Sequence, residues 1–383
     1  MQKTPLKLLI FLLLFLPTSA LQAETLRIAT YNASLSRNGP GLLLNDLIKG
    51  ENPQIAAVVG ILQHVRPDIV LINEFDYDAD HEAAALFAEA LRSGKTPVDY
   101  RHIFTSPPNT GRPSGLDLNG DGTTNTPDDA LGWGRFPGQY GMLLLSRFPI
   151  DSARTFAKLR WIDLPDANLP TNPDGTPFYT PEALAILPLS SKSHWDIRLN
   201  VPDLGPMHLL ASHPTPPVFD GPENRNGLRN GDEIRFWMHY LDGAPFVDDT
   251  GNSAPMAQAP FVLLGDLNAD PNDGDGDHAT IKALLSHPAI QDTAPKAAGG
   301  RQAAKTGVNP QHRTDPAQDT ANWRDKPGPG NLRVDYVLPA RGLDVTGSGV
   351  FWPEPKSPLS KMLRAGKRAT SDHYLVWVDV LLP

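Results

Sequence analysis

The chain has 383 residues, a formal charge of −9 and no cysteine. The missing cysteines exclude disulfides, thiolate zinc sites and a cysteine nucleophile. The acidic balance repels polyanions at long range and argues against a generic coat for nucleic acid. The length allows one large domain or two smaller ones with an ample core. The 39 prolines and 32 glycines point to long ordered loops, because apolar runs recur throughout.

The first stretch, MQKTPLKLLIFLLLFLPTSALQAETLR, opens with Lys3 and Lys7 and continues as an unbroken apolar run from Leu8 to Leu16. Small residues follow, with Ala20 and Ala23 as cleavage points. That is the pattern of a secretory signal peptide. The run is shorter than the roughly 20 residues a spanning helix needs. Cleavage after Ala23 would take the charge to about −11. It would leave a mature domain of residues 24–383 in the periplasm or outside the cell, with no transmembrane segment.

Short Val-, Ile- and Leu-rich runs then predict strands at 26–31, 68–72, 141–146, 194–201, 208–212, 261–265, 334–338 and 374–382. Between the first two, Asn52-Pro53 reads as an N-cap with proline at the first helical position, followed by Ile55, Val58, Val59, Leu62 and Val65 at helical spacing. A second helix is expected over 81–92, stopped at Gly94, and weaker ones over 233–241 and 279–285. Several neighbouring strands lack a helix between them, and 194–201 with 208–212 reads as a hairpin. The pattern is a mixed α/β layered fold. Two long loops, 105–139 and 160–192, are long enough to be functional.

The strand ends are polar. The first ends in Asn32, the second in Glu74, the fifth in His213 and the sixth in Asp266, with Asn268 two residues on. Asp335 stands at the start of one strand, and Asp372-His373 precede the last. Loops aimed by a rigid sheet are where α/β folds gather ligand sites. Aspartate is also common in plain turns, so no single strand end carries the inference alone. In FVLLGDLNADPNDGDGDH, residues 261–278, Asp266 and Asn268 read as the working pair. Asp270, Asp273, Asp275 and Asp277 read as a solvated turn that caps the helix near Ala279.

Read in order, "ATYN", "INEFD", "LLSRFP", "ASHPTPP", "GDLNADP", "RVDYVL" and "TSDHYLV" resemble the endonuclease/exonuclease/phosphatase superfamily over nearly the whole chain after the leader. The resemblance implies a four-layer α/β sandwich, with two packed mixed β-sheets flanked by helices. It also implies hydrolysis of a phosphoester with a divalent metal, Mg²⁺ or Mn²⁺. Magnesium takes oxygen ligands and keeps several waters, so one or two carboxylates suffice. Glu74 is the candidate ligand. Asn32 adds an amide oxygen or orients Glu74, and Asp372 joins a second or shared site. His373 resembles the family's base and Asp335 the carboxylate that orients it. Asp266 and Asn268 resemble residues that position the attacking water and the phosphate. His213 resembles a second histidine able to protonate the leaving oxygen, with the acid and base roles left open between the two. Tyr140 is a looser candidate for contact with the phosphate.

The substrate is a phosphoester: nucleic acid, a small phosphodiester or a phospholipid headgroup. The nuclease-like phosphodiesterase has a phosphatase or phospholipase C-like enzyme as its alternative within the fold. The alternative of another class is a non-catalytic binding module, against which the complete residue set argues. A monomer is expected.

A second segment, residues 117–128, places oxygen groups at loop positions one, three, five, nine and twelve, including Asp117, Asn119, Asp121 and Asp128, with Gly122 at six. It resembles a dockerin-type or EF-hand calcium loop, with aspartate in place of the usual final glutamate and no flanking helix. A structural Ca²⁺ is expected there. The sparse basic residues cluster as Arg225 and Arg229, as Arg364, Lys367 and Arg368, and as Arg135 and Arg147. They line a phosphate cleft or make ordinary surface ion pairs.

Overall fold

The computed structural model describes residues 24–383; the expected signal peptide, residues 1–23, lies outside the described residues. Two large sheets carry the architecture. The first runs in the order Val345–Val350, Val376–Leu381, Thr25–Asn32, Ile69–Asn73, Met142–Ser146 and His102–Phe104. The second runs Asp335–Pro339, Phe261–Asp266, Gly205–Ser212, His194–Val201 and Ile150–Thr155. Each sheet has one parallel pair, Thr25–Asn32 with Ile69–Asn73 and Gly205–Ser212 with Phe261–Asp266. Every other strand pair in the two sheets is antiparallel.

Because side chains alternate along a strand, each central strand feeds two apolar layers. Ile28, Ile69, Leu71 and Leu144 of the first sheet meet Ile197, Leu209, Val262 and Leu264 of the second. On the opposite face of the first sheet, Tyr31, Val70, Ile72 and Leu143 pack with buried residues of the helices Leu42–Lys49, Pro53–Val65 and Glu82–Leu91. On the outer face of the second, Leu210, Leu263 and Leu338 pack against the helices Arg225–Leu241 and His278–Leu285. Helices, sheet, sheet and helices therefore make the expected α/β sandwich. No helix among the described residues is long and apolar enough to cross a membrane.

All eight predicted strands are present within a few residues, and Val201 faces Gly205 in the predicted hairpin. Asn52 caps its helix by accepting from the backbone N–H groups of Gln54 and Ile55. Three strands of the two sheets went unpredicted. His102–Phe104 has three residues, Ile150–Thr155 is an edge strand with no fully buried side chain, and Val345–Val350 contains two glycines.

The helix expected over 233–241 begins eight residues earlier, at Arg225. Its first half shows no apolar period because its inward face is polar: Arg229, Asn230, Asp232 and Glu233 are all buried. These side chains replace hydrophobic packing with bonds to loop backbone. Asn230 Nδ2 donates to Thr215 O and Leu267 O at 2.8 and 3.0 Å. Glu233 accepts from Ser191 N and Thr215 N at 2.8 and 2.6 Å. Arg229 donates to Leu189 O at 2.9 Å and to Leu131 O and Pro188 O at 2.7 Å. One guanidinium thus fastens both long loops to the same helix.

Candidate active site

The C-terminal ends of the two parallel pairs meet across the sandwich. Asn32 lies opposite Asn73, and Asp266 opposite Asp335. Asn73 ties the sheets together: its Oδ1 accepts from Thr30 Oγ1 at 3.2 Å and from Asp266 N at 3.3 Å. Within the second sheet, the neighbouring strand leaves no room for a side chain at Gly265. With φ at 149°, a Cβ there would stand 2.0 Å from Ser212 O. Glu74, Tyr140 and Asn268 have φ of 59°, 57° and 52°. Left-handed backbone at non-glycine residues costs about 1–3 kcal/mol each and concentrates at functional sites.

Around Asp266 the side chains form one buried cluster. Asn32 Nδ2 donates to Asp266 Oδ2 at 3.0 Å and to Glu74 Oε1 at 3.2 Å, while its Oδ1 accepts from Ser34 N. The amide therefore bonds both carboxylates. Asp266 Oδ2 lies 3.4 Å from His213 Nε2 and 3.7 Å from His373 Nε2. His373 Nδ1 is 2.9 Å from Asp335 Oδ2, and Thr320 Oγ1 holds the start of the Asp335 strand by accepting from Val334 N and Asp335 N. Asn268 N donates to Asp266 Oδ1 at 2.9 Å, and its Nδ2 donates to Pro214 O. Asp372 is exposed at the edge, where Ser34 Oγ and Trp323 Nε1 donate to its two oxygens at 2.9 Å.

The electrostatics follow from this crowding. Burial and the Asp372 charge push Glu74 up to about 6. Burial also opposes ionisation of Asp266, but the two imidazoles and the Asn32 amide hold it well below the usual carboxylate range. Burial lowers His373, yet Asp335 and Asp266 on either side outweigh it and hold the imidazole well above its ordinary value. His213 goes the other way, down to about 4, through burial and the nearby Lys192 charge.

Lys192 carries no sequence signal, standing alone in SSKSH. It is 5 % exposed, and among the described residues its Nζ hydrogen-bonds only Pro214 O, at 3.3 Å. Burial lowers its pKa, opposed by the Glu233, Glu74 and Asp266 carboxylates. Trp323 was also missed; its indole meets the His373 ring edge-on at 5.2 Å.

Tyr140 stands beside the cluster. Its pKa is raised by burial and then by Glu74, and its N–H donates to Asp76. The basic clusters separate. Arg225 pairs with Glu223, Arg135 donates to Asn38, and Arg364 and Arg368 belong to a small exposed ribbon. Arg147 pairs with Asp68, next to the start of Ile69–Asn73 and so at the end opposite Glu74, the surface ion pair of its two expected alternatives.

In the 117–128 loop, where a structural calcium is expected, the acidic and amide side chains bond nearby backbone. Asp117 accepts from Gly120 N and Gly122 N, Asn119 from Asp121 N, and Asp121 from Thr123 N. These are turn bonds of Asp and Asn to nearby backbone. Asp128 lies in a short 3₁₀ turn, and no trio including it converges among the described residues.

The aspartate loop also needs correction. Asp277 caps the helix as expected. Asp270, however, is buried and bonded to Thr314 Oγ1 and Arg333 N, because this loop folds under the 309–320 segment. Beside it, burial and the Asp270 charge raise Asp319 to about 8. Since the unfolded value is near 3.9, ionising Asp319 opposes folding increasingly from about pH 4 to pH 8. Asp319→Asn is expected to raise Tm by a few degrees at pH 8.5 and to lose that gain near pH 4. Parallel thermal melts of both proteins check it, and an equal gain at both values contradicts the assignment.

The sequence pattern of the Endonuclease/Exonuclease/phosphatase family matches residues 29–373. The chain belongs to this family. Its fold is similar to that of an endonuclease/exonuclease/phosphatase from Beutenbergia cavernae, at 19% identity over 94% of this chain and 72% of that one, with a TM-score of 0.51. Sphingomyelinase C from Streptomyces griseocarneus aligns at 16% identity over 93% and 99%, with a TM-score of 0.48. A family protein from Leptotrichia buccalis aligns at 13% over 93% and 99%, also at 0.48. No curated protein sequence gives a significant match. Members of the family are generally divalent-metal-dependent phosphoester hydrolases, and the Asp266, Asp335 and His373 ligand atoms lie within 4.8 Å of one another.

Proposed function

We propose that the protein is a divalent-metal-dependent phosphodiesterase, with Mg²⁺ or Mn²⁺ as its metal. The observation that carries this is Asp266, a buried carboxylate set between two imidazoles and beside Asn268. The chemistry of the acidic side suits a hard cation. Glu74 accepts one bond, from Asn32, and Asp372 and Asp266 disfavour its charge. A divalent ion held by Glu74, with Asp372 in reach, would offset that repulsion and neutralise charge on a phosphoryl oxygen.

Asp266 and Asn268 position the attacking water, and Asp266 accepts its proton. The new P–O bond forms as the P–O bond to the leaving oxygen breaks, and the departing alkoxide takes up a proton from solvent as it is released. His373, held protonated between Asp335 and Asp266, donates to the phosphoryl oxygens. This reading moves the base from His373, where the resemblance put it, to Asp266. His213 is neutral and hydrogen-bonds the leaving oxygen, while Lys192 adds a positive charge behind the phosphate. Export and cleavage of residues 1–23 belong to the same proposal.

The test is hydrolysis of bis-p-nitrophenyl phosphate by the purified protein with Mg²⁺ or Mn²⁺. Metal-dependent release of p-nitrophenol is expected, with p-nitrophenyl phosphate as the first product. No turnover of this diester, of a monoester or of DNA in either metal overturns the reading.

A further inference from the structure

A cavity of about 540 Å³ opens beside the site, with Glu74, Lys192 and His213 in its wall. That volume falls within the range of small-molecule sites, roughly 300–1,000 Å³. The rest of its lining is mainly apolar and aromatic: Leu118, Ala130, Trp133, Tyr179, Leu187 and Val218. The first three come from the long 105–139 loop and the next two from the 160–192 loop. Arg229 binds both loops to the Arg225–Leu241 helix through three backbone carbonyls, so the walls are fastened before a ligand arrives.

The two arginines in this wall are engaged, and Asp128 adds a carboxylate to it. Arg229 is occupied by those carbonyls. Arg225 pairs with Glu223 and lies 5.7 Å over the Phe178 ring. Lys192 stands where the cavity meets the Glu74 and Asp266 carboxylates, at the phosphate end. Moving away from that end, the Tyr140 ring lies 6.1 Å from Trp133, so aromatic surface continues from the catalytic cluster into the wall. A polyanion gains little from such a surface, and the chain's charge of −9 opposes its approach.

We infer that the cavity seats one ester arm of the substrate and that this arm is apolar or aromatic, making the substrate a small phosphoester rather than a polynucleotide. This rests on the phosphoesterase reading and extends it to a substrate class. Phosphonates test it, because their C–P bond is not hydrolysed and they carry a single arm. With Mg²⁺ and bis-p-nitrophenyl phosphate as the reporter substrate, Ki is expected to fall at least tenfold from methylphosphonate to phenylphosphonate or hexylphosphonate. That ratio is expected to collapse in Ala130→Phe, which fills the cavity. It is expected to shrink in Trp133→Ala, which removes part of the wall at a residue 46 % exposed and so safe for folding. If Ala130→Phe does not fold, Trp133→Ala decides.

Equal Ki values across the three phosphonates overturn the inference while leaving the phosphoesterase reading standing. So do an unchanged ratio in the folded variants and plasmid DNA cleaved with a higher kcat/KM than the diester. Absence of any phosphoester hydrolysis instead removes the reading beneath it.

Discussion

Replacing His373 with alanine is expected to lower kcat on bis-p-nitrophenyl phosphate by about 10²–10⁴-fold, the usual contribution of a positioned acid–base group. The imidazole is held on three sides: by Asp335 at 2.9 Å, by Asp266 at 3.7 Å and by the edge-on Trp323 ring. Without it, two buried carboxylates face each other with no cation between them, so a lower Tm accompanies the lost activity. His373→Gln keeps a polar side chain there and separates the two effects. It is expected to recover much of the Tm and little of the kcat. Asp335→Asn gives a directional control. Because Asp335 raises the His373 pKa, removing its charge lets the imidazolium lose its proton at lower pH. The alkaline limb of the kcat/KM profile is then expected to move down. Steady-state kinetics beside thermal melts check all three variants, and full activity in folded His373→Ala refutes the assignment.

Loss of the metal is the second large effect. Excess chelator is expected to silence the protein, and added Mg²⁺ or Mn²⁺ to restore it. Glu74→Gln keeps the side chain's size and its bond to Asn32 but removes the charge that holds a cation. Its kcat is expected to fall by roughly 10³-fold, the scale of several kcal/mol of charge stabilisation in the transition state. Asp372→Asn is expected to cost less, because Asp372 is exposed and already accepts from Ser34 and Trp323. Glu74→Gln is also expected to be at least as stable as the parent at pH 8, since burial and neighbouring carboxylates oppose the native charge. Turnover that survives chelation, or a Glu74→Gln protein of full activity, refutes the metal role.

The central strands were legible because burial on both faces demands short runs of Val, Ile and Leu. Each run stopped where polar chemistry began, at Asn32, Glu74, His213 and Asp266. The same logic hid the rest. Ile150–Thr155 lies at a sheet edge and needs no apolar run. The first half of Arg225–Leu241 buries Arg229, Asn230, Asp232 and Glu233 instead of a hydrophobic stripe, so helical periodicity has nothing to register there. Lys192 lies deep because Asn109 N bonds its carbonyl and helix groups hold its neighbours, relations among residues 40 or more apart. The 117–128 loop marks a limit of a different kind. Spacing suggested a metal ligand set, and the same carboxylates also satisfy backbone N–H groups of a turn. Spacing does not distinguish the two uses of an aspartate.

The strand Val376–Leu381 lies between Thr25–Asn32 and Val345–Val350. The first sheet is therefore interrupted until residue 381 has left the ribosome, and His373 emerges only just before it. Thr25–Asn32 finds Ile69–Asn73 early in synthesis, but its other edge waits for Val376–Leu381. An N-terminal piece that stops short of residue 373 carries Asn32, Glu74, His213 and Asp266 but neither the histidine nor the closing strand. On the proposed reading, the site is complete only once the closing strand is in place, so activity would report closure of the first sheet.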